Sequence, residues 1–348
     1  MSDGGVDQAT SLRRLMRGVG ESPIAVAPNP VSHPARSAPI SVGPTALQAR
    51  ADRRPRVRLA RAIAVLSGKG GVGKTNIAVN LAIALAQQAQ AARTRGESAS
   101  TVCLLDADLG LANADVLCGL SPRATLEDVL HGSRSLEEVL VAAPGGFKLL
   151  PGASGVASIA NLSAADRRRL VTGLATLERS TDLLLIDTAA GISANTMAFG
   201  AAAHTALIAL TPEPTSITDA YGAIKTLAVK ARRPAIKLVI NMVQSREEGE
   251  EVFRRVDRVS RTFLSLPLEL AGIIPFDMAV RASVLKREPL LLAFPDAPAA
   301  RAIRALARGL AQGEIASAAS DESGIDPGAF PNVRSGFLSR LATWLARR

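Results

Sequence analysis

Gly68-Lys69-Gly70-Gly71-Val72-Gly73-Lys74-Thr75 follows the apolar run Ala62-Ile63-Ala64-Val65-Leu66 and precedes a helix-forming run from Asn76 to Gln87. This is the form G-x-x-x-x-G-K-[ST], in the strand-to-helix position where a phosphate-binding loop belongs. Its glycines remove the Cβ atoms that would keep a phosphate chain off the backbone. Successive N–H groups and the helix N-terminus then supply positive potential. Lys74 is expected to reach the β- and γ-phosphates of a nucleotide and Thr75 to ligate Mg²⁺. Gly70, Gly71, Val72, Gly73 and Asn76 complete the cradle.

Outward from this loop, apolar runs alternate with helical patterns, which implies an α/β fold with a mostly parallel central sheet and helices on both faces. Strands are predicted at Ala62–Leu66, Val102–Asp106, Phe147–Pro151, Leu183–Asp187, Ala206–Leu210, Lys237–Asn241 and Gly272–Ile274. A polar insert from Ala89 to Ser100 reads as an exposed loop. The polar motifs fall at the carboxyl ends of strands, where open α/β sheets bind ligands.

Two of those motifs are acidic. Asp106-Ala107-Asp108-Leu109-Gly110-Leu111-Ala112-Asn113 carries carboxylates at i and i+2 just past a strand. Such a pair can face one cavity, one near the metal and the other aligning an attacking water. Asp187-Thr188-Ala189-Ala190-Gly191 ends the strand Leu183–Asp187, placing Asp187 on Mg²⁺ and a glycine hinge at Gly191.

The loop G-K-G-G-V-G-K-T resembles the deviant P-loop of the MinD/ParA ATPases, a SIMIBI-class P-loop NTPase family. That resemblance implies ATP as nucleotide, and a homodimer in which Lys69 crosses the interface to the partner's phosphates. It also implies that Asp108 positions the water and Asp106 lies nearer the metal. Asn241 would read the adenine edge, with Asp277 beside the base. The wording D-A-D-L-G-L-A-N, together with Asp7-Gln8-Ala9-Thr10-Ser11-Leu12-Arg13, is similar to the flagellar FlhG/FleN branch. In that branch the N-terminal motif activates the FlhF-type GTPase, which implies partner contacts through Gln8, Leu12 and Arg13. A flagellar transcription activator or a basal-body protein is a further implied partner. Ala189 stands where FlhG proteins commonly have Gly.

The formal net charge is +10. Residues 1–61 hold ten arginines against four acids and residues 334–348 hold four arginines and no acid, which leaves 62–333 neutral. Basicity in the tails argues against a DNA-coating core and for tail-specific partners. The expected organisation is a partner-binding helix at 1–20 and a Pro/Ala/Arg-rich linker at 21–61. An ATPase domain follows at 62–312, then a linker at 313–335 and an amphipathic helix at 336–348. In that last helix Phe337, Leu338, Leu341, Trp344 and Leu345 share one face and arginines flank it, a composition suited to lying in an anionic membrane surface. The alternative there is a helix docked on the core. With two cysteines and no 18-residue apolar span, the chain is expected in the cytoplasm, peripherally on the inner face of the cytoplasmic membrane. The rival readings are a ParA-type DNA partition ATPase, a division-site MinD and a biosynthetic P-loop ligase.

Overall fold

The computed structural model describes residues 59–97, 100–108, 110–152, 163–229, 234–322 and 336–346. The chain divides into two compact units, Met1–Arg56 and Val57–Arg348. The first unit, with Gln8, Leu12 and Arg13, lies outside the described residues, as do the side chains of Trp344 and Leu345.

The second unit begins with β1 (Arg61–Leu66), α1 (Lys74–Thr94), β2 (Val102–Ala107), α2 (Ala114–Leu117), α3 (Leu126–His131) and α4 (Leu136–Val139). There follow β3 (Val141–Ala142), β4 (Lys148–Leu150), α5 (Ala164–Ser180), β5 (Leu183–Thr188), α6 (Ala194–Ala202), β6 (Thr205–Leu210) and α7 (Pro214–Ala228). It closes with β7 (Ala235–Val243), α8 (Arg246–Leu264), β8 (Glu269–Pro275), α9 (Met278–Lys286), α10 (Leu290–Ala293), α11 (Pro298–Glu322) and α12 (Phe337–Ala346). The sheet runs β3-β4-β2-β5-β1-β6-β7-β8. Every pairing is parallel except that of the two-residue β3 with β4, an edge strand too short to leave a sequence signal.

Burial on both faces explains why the strands read as unbroken apolar runs. Along β1, Ala62, Ala64 and Leu66 enter one core with side chains of α5, α6, α7 and α8. Ile63 and Val65 enter the other with those of α1, α10 and α11. Since β1 lies between β5 and β6, its carboxyl end faces the point where the chain turns from one half of the sheet to the other, the ligand crevice of such folds.

Two helical expectations are corrected. Helix α1 continues through the anticipated loop to Thr94, because Gln87 to Thr94 is rich in alanine and glutamine and holds no glycine; Gly96 at φ +78° ends it. Helix α11 likewise runs past residue 312 to Glu322. The terminal helix is also placed differently from the expectation that its apolar stripe faces outward. Phe337, Leu338 and Leu341 are buried in the core on the α5/α6 side, and the Phe337 ring stacks on Phe199 of α6 at 6.4 Å between centroids and 12° between planes. Glu178 of α5 accepts hydrogen bonds from the Phe337 and Leu338 backbone, supplying the cap that a helix start needs. A linker and flanking arginines do not distinguish this seat from a lipid surface, since both want the same stripe.

Phe337→Ala is expected to cost about 3 kcal/mol of stability through lost burial and the cavity left beside Phe199. Chemical denaturation of the full chain checks this, and an unchanged midpoint would mean that the helix contributes nothing to the core.

Candidate nucleotide-binding site

The phosphate loop is shaped by its own glycines and by a residue from far along the chain. Gly71 and Gly73 take φ of +80° and +83°, which residues with a Cβ rarely adopt. Asn241 fixes the loop from below, its Nδ2 donating to the Val72 carbonyl at 2.8 Å. A Cβ at Gly73 would sit 2.6 Å from that same nitrogen. Asn241 reaches this position because β7 is irregular between Asn241 and Val243, where Met242 takes φ +60°. The residue expected to read a base edge therefore also holds the cradle.

Below the loop lies a buried charge cluster. Asp106 and Asp187 are register partners on β2 and β5, so their carboxylates sit on adjacent strand ends, each 1% exposed. Lys74 Nζ donates to Asp187 Oδ1 at 2.9 Å, itself 8% exposed. Asp187 Oδ2 is buried with no hydrogen-bond partner. Burial pushes both carboxyls upward, that of Asp106 to about 7 with the neighbouring Asp187 adding to the shift, while Lys74 opposes the rise at Asp187. Backbone N–H groups take the Asp106 oxygens, whereas one buried oxygen of Asp187, next to Thr75, accepts no hydrogen bond among the described residues, and this hard-oxygen donor set fits Mg²⁺.

The acidic motif after β2 is wound around Asp106. Its Oδ1 accepts from Asp108 N at 3.1 Å and its Oδ2 from Asn113 N and Ala114 N, both at 3.0 Å. Asp106 thus holds the 108–114 segment as well as facing Asp187, a positioning job beyond the metal-side role expected of it. Asp108 Oδ1 accepts from Gly110 N and Leu111 N at 3.3 and 3.2 Å, so this carboxylate is turned into its own loop.

After β5, Gly191 takes φ +87° and donates to Ser67 O at 2.9 Å, tying that segment to the start of the phosphate loop. Ala189 is absent from the positive-φ positions, so a methyl there is free of backbone strain. Asp277 has a structural task as well: Oδ1 accepts from Ala279 N at 2.9 Å and Oδ2 from Ala299 N at 3.0 Å, so it caps α9 and ties that helix to α11. Exposed Phe276 and Met278 flank it. Burial pushes the thiols of Cys103 and Cys118 up to about 12.

Residues 63–290 match the model of the CobQ/CobB/MinD/ParA nucleotide binding domain. The chain belongs to this family. Within it, the chain is 42% identical over 246 residues to the antiactivator FleN of Pseudomonas aeruginosa, covering 71% of this chain and 84% of that protein. It is 34% identical over 235 residues to the flagellum site-determining protein YlxH of Helicobacter pylori, covering 67% and 76%. Among solved structures, the septum site-determining protein MinD of Pyrococcus horikoshii, complexed with Mg-ADP, superposes with a TM-score of 0.57 at 26% identity, covering 77% of this chain and all of that one. A family fold of MinD type thus carries the loop, the two acidic motifs and Asn241 on one sheet edge.

Sequence reading missed three residues that shape the site. Glu213 and Thr215 accept hydrogen bonds from Lys69 Nζ, the latter at 3.1 Å, across 144 and 146 residues. Asn80 of α1 is 1% exposed and accepts from Leu291 N at 2.9 Å, anchoring the loop helix to α10. An asparagine inside an otherwise apolar helix face was the available signal for the last. No local pattern signals the first two.

Asp187→Ala is expected to strand the Lys74 ammonium and cost about 3 kcal/mol. It should also abolish the Mg²⁺ dependence of nucleotide binding. Urea denaturation and calorimetric ATP titrations with and without Mg²⁺ measure the two effects.

Proposed function

We propose that this protein is an ATP-dependent dimerising ATPase that associates with the membrane and regulates flagellar number or placement. Hydrolysis yields ADP and phosphate. The observation that carries the reading is Lys69: a second lysine sits in the phosphate loop, is 32% exposed, and is bound by surface groups rather than by the buried cluster below. In a loop that Lys74 already serves, such a lysine suits a phosphate chain brought by a second copy. Likeness to FleN and YlxH supplies the flagellar setting.

In this reading Lys74 leaves Asp187 for the β- and γ-phosphates, and Asp187 with Thr75 would hold Mg²⁺, whose charge would offset that of the phosphates. Asp108 turns from its own loop to align the attacking water. Phosphoryl transfer asks for such alignment and charge placement more than for covalent chemistry. The N-terminal segment, through Gln8, Leu12 and Arg13, stimulates an FlhF-type GTPase, and the neutral core engages a flagellar transcription activator or basal-body protein.

The terminal helix supplies membrane contact once it leaves its seat. The seat lies on α6, which Ser193 caps two residues after Gly191, so a shift of the nucleotide loop is passed directly to the surface that holds Phe337. One short helix with arginines binds anionic lipid reversibly at about 1 kcal/mol per basic residue. Two on one dimer gain avidity of about 10²- to 10⁴-fold. The protein then cycles between cytoplasm and the inner membrane face with its nucleotide. Among the described residues no helix is long and apolar enough to cross a membrane.

Asp108→Ala is expected to bind ATP, hydrolyse it at least about 100-fold more slowly, and collect on anionic vesicles as a dimer. Co-sedimentation beside size-exclusion chromatography reads this, and a variant that stays monomeric with ATP sinks the switch. Removing 336–348 should abolish vesicle binding and spare nucleotide binding. Gln8→Ala should keep ATPase activity and lose stimulation of the GTPase.

A further inference from the structure

Lys69 is held within its own protomer by the Glu213 carboxylate, which among the described residues bonds no other group. The lysine backbone is fixed: Ser67 Oγ donates to Lys69 O at 2.9 Å, and a Cβ on Gly68 would overlap the Asp219 and Ala220 backbone of α7. Its side chain is the part left able to move. That side chain runs to the start of α7, where its ammonium donates to Glu213 and to Thr215 Oγ1.

The location is unfavourable for a cation. A helix N-terminus carries about half a positive charge, and ammonium groups are ordinarily placed at the other end. Glu213 is the N-cap residue of α7 and is followed by Pro214 at the first helical position. Its side chain makes no capping hydrogen bond to the helix. An N-cap side chain normally satisfies the free N–H groups of the first turn; this one is spent on Lys69 instead.

We propose that Glu213, assisted by Thr215, is a positioning residue that withholds Lys69 from the nucleotide of a second copy and so sets the protein concentration at which the ATPase switches on. This rests on the reading of Lys69 as the residue that completes a second copy's site. The pair is exposed, 32% at Lys69 and 62% at Glu213, so each withheld lysine is worth a modest factor, about two- to five-fold. A symmetric dimer must release two lysines. The factors multiply, to about 4- to 25-fold in the dimerisation equilibrium. A weak hold suits this role, because phosphates in a partly desolvated interface outbid one surface carboxylate, whereas random encounters of nucleotide-free chains do not.

The test is the specific ATPase activity of the full chain against protein concentration, paired with sedimentation of each variant with a non-hydrolysable ATP analogue. Glu213→Gln is expected to move the half-maximal point to lower protein concentration by about 4- to 25-fold. Thr215→Val should move it the same way by less. ATP affinity measured below that point should stay within about two-fold of wild type. An unmoved half-maximal point overturns the proposal, and so does a shift to higher concentration, which would assign Glu213 to the assembled dimer. Lys69→Ala separates the two ideas. If that variant keeps the wild-type concentration dependence, the reading of Lys69 itself has failed; if it loses that dependence while Glu213→Gln changes nothing, only the hold by Glu213 has.

Discussion

Two buried carboxylates meet at the carboxyl ends of β2 and β5 with a buried ammonium on only one of them, and much of the chain is arranged around that imbalance. Asp106 and Asp187 are neighbours by strand register, and Lys74 satisfies a single oxygen of the second. Burial has already driven both carboxyls upward, so the cluster needs a further positive charge before it is comfortable fully ionised. A nucleotide alone would worsen matters, because its phosphates draw Lys74 away. In the proposed reading of the site, charge balance would couple nucleotide to divalent cation.

The elements that could respond to such a change are fastened to this cluster by short covalent or hydrogen-bonded routes. The 108–114 segment hangs on the Asp106 carboxylate. Gly191 is tied to Ser67, and α6 starts three residues later. On its other side, the loop packs through Gly68 directly against the α7 backbone. Displacing the loop therefore pushes on α6 and α7 with little slack, since backbone meets backbone at one contact and a hydrogen bond spans the other.

How much of this was legible depended on whether the signal was local. The phosphate loop, the acids that close β2 and β5, and seven strands could be read because both sheet faces are buried and the motifs are contiguous. Asn241 was identifiable as a site residue but not as the clamp on Val72, since that bond joins positions 169 residues apart. The pairing of Glu213 with Lys69 left no sequence signal for the same reason, the two lying 144 residues apart. The capping task of Asp277 was not legible because an acid before a helix has two equally good uses, and only the placement of α11 reveals that its second oxygen accepts from Ala299 N. Periodicity in the last helix announced an apolar face correctly. It could not announce that Phe199 and Glu178 would cover that face, because an amphipathic stripe carries no address.

Gly336 sits at the doorway of that helix. A methyl there would overlap the Glu178 carboxylate and the Leu59 side chain, although a buried oxygen of the same carboxylate, Oε1, is left without a hydrogen bond. The seat of the tail is therefore guarded by the absence of a single carbon atom. Any side chain at this position would have to push aside the ends of Glu178 and Leu59, so the closeness with which the last helix starts against α5 depends on glycine.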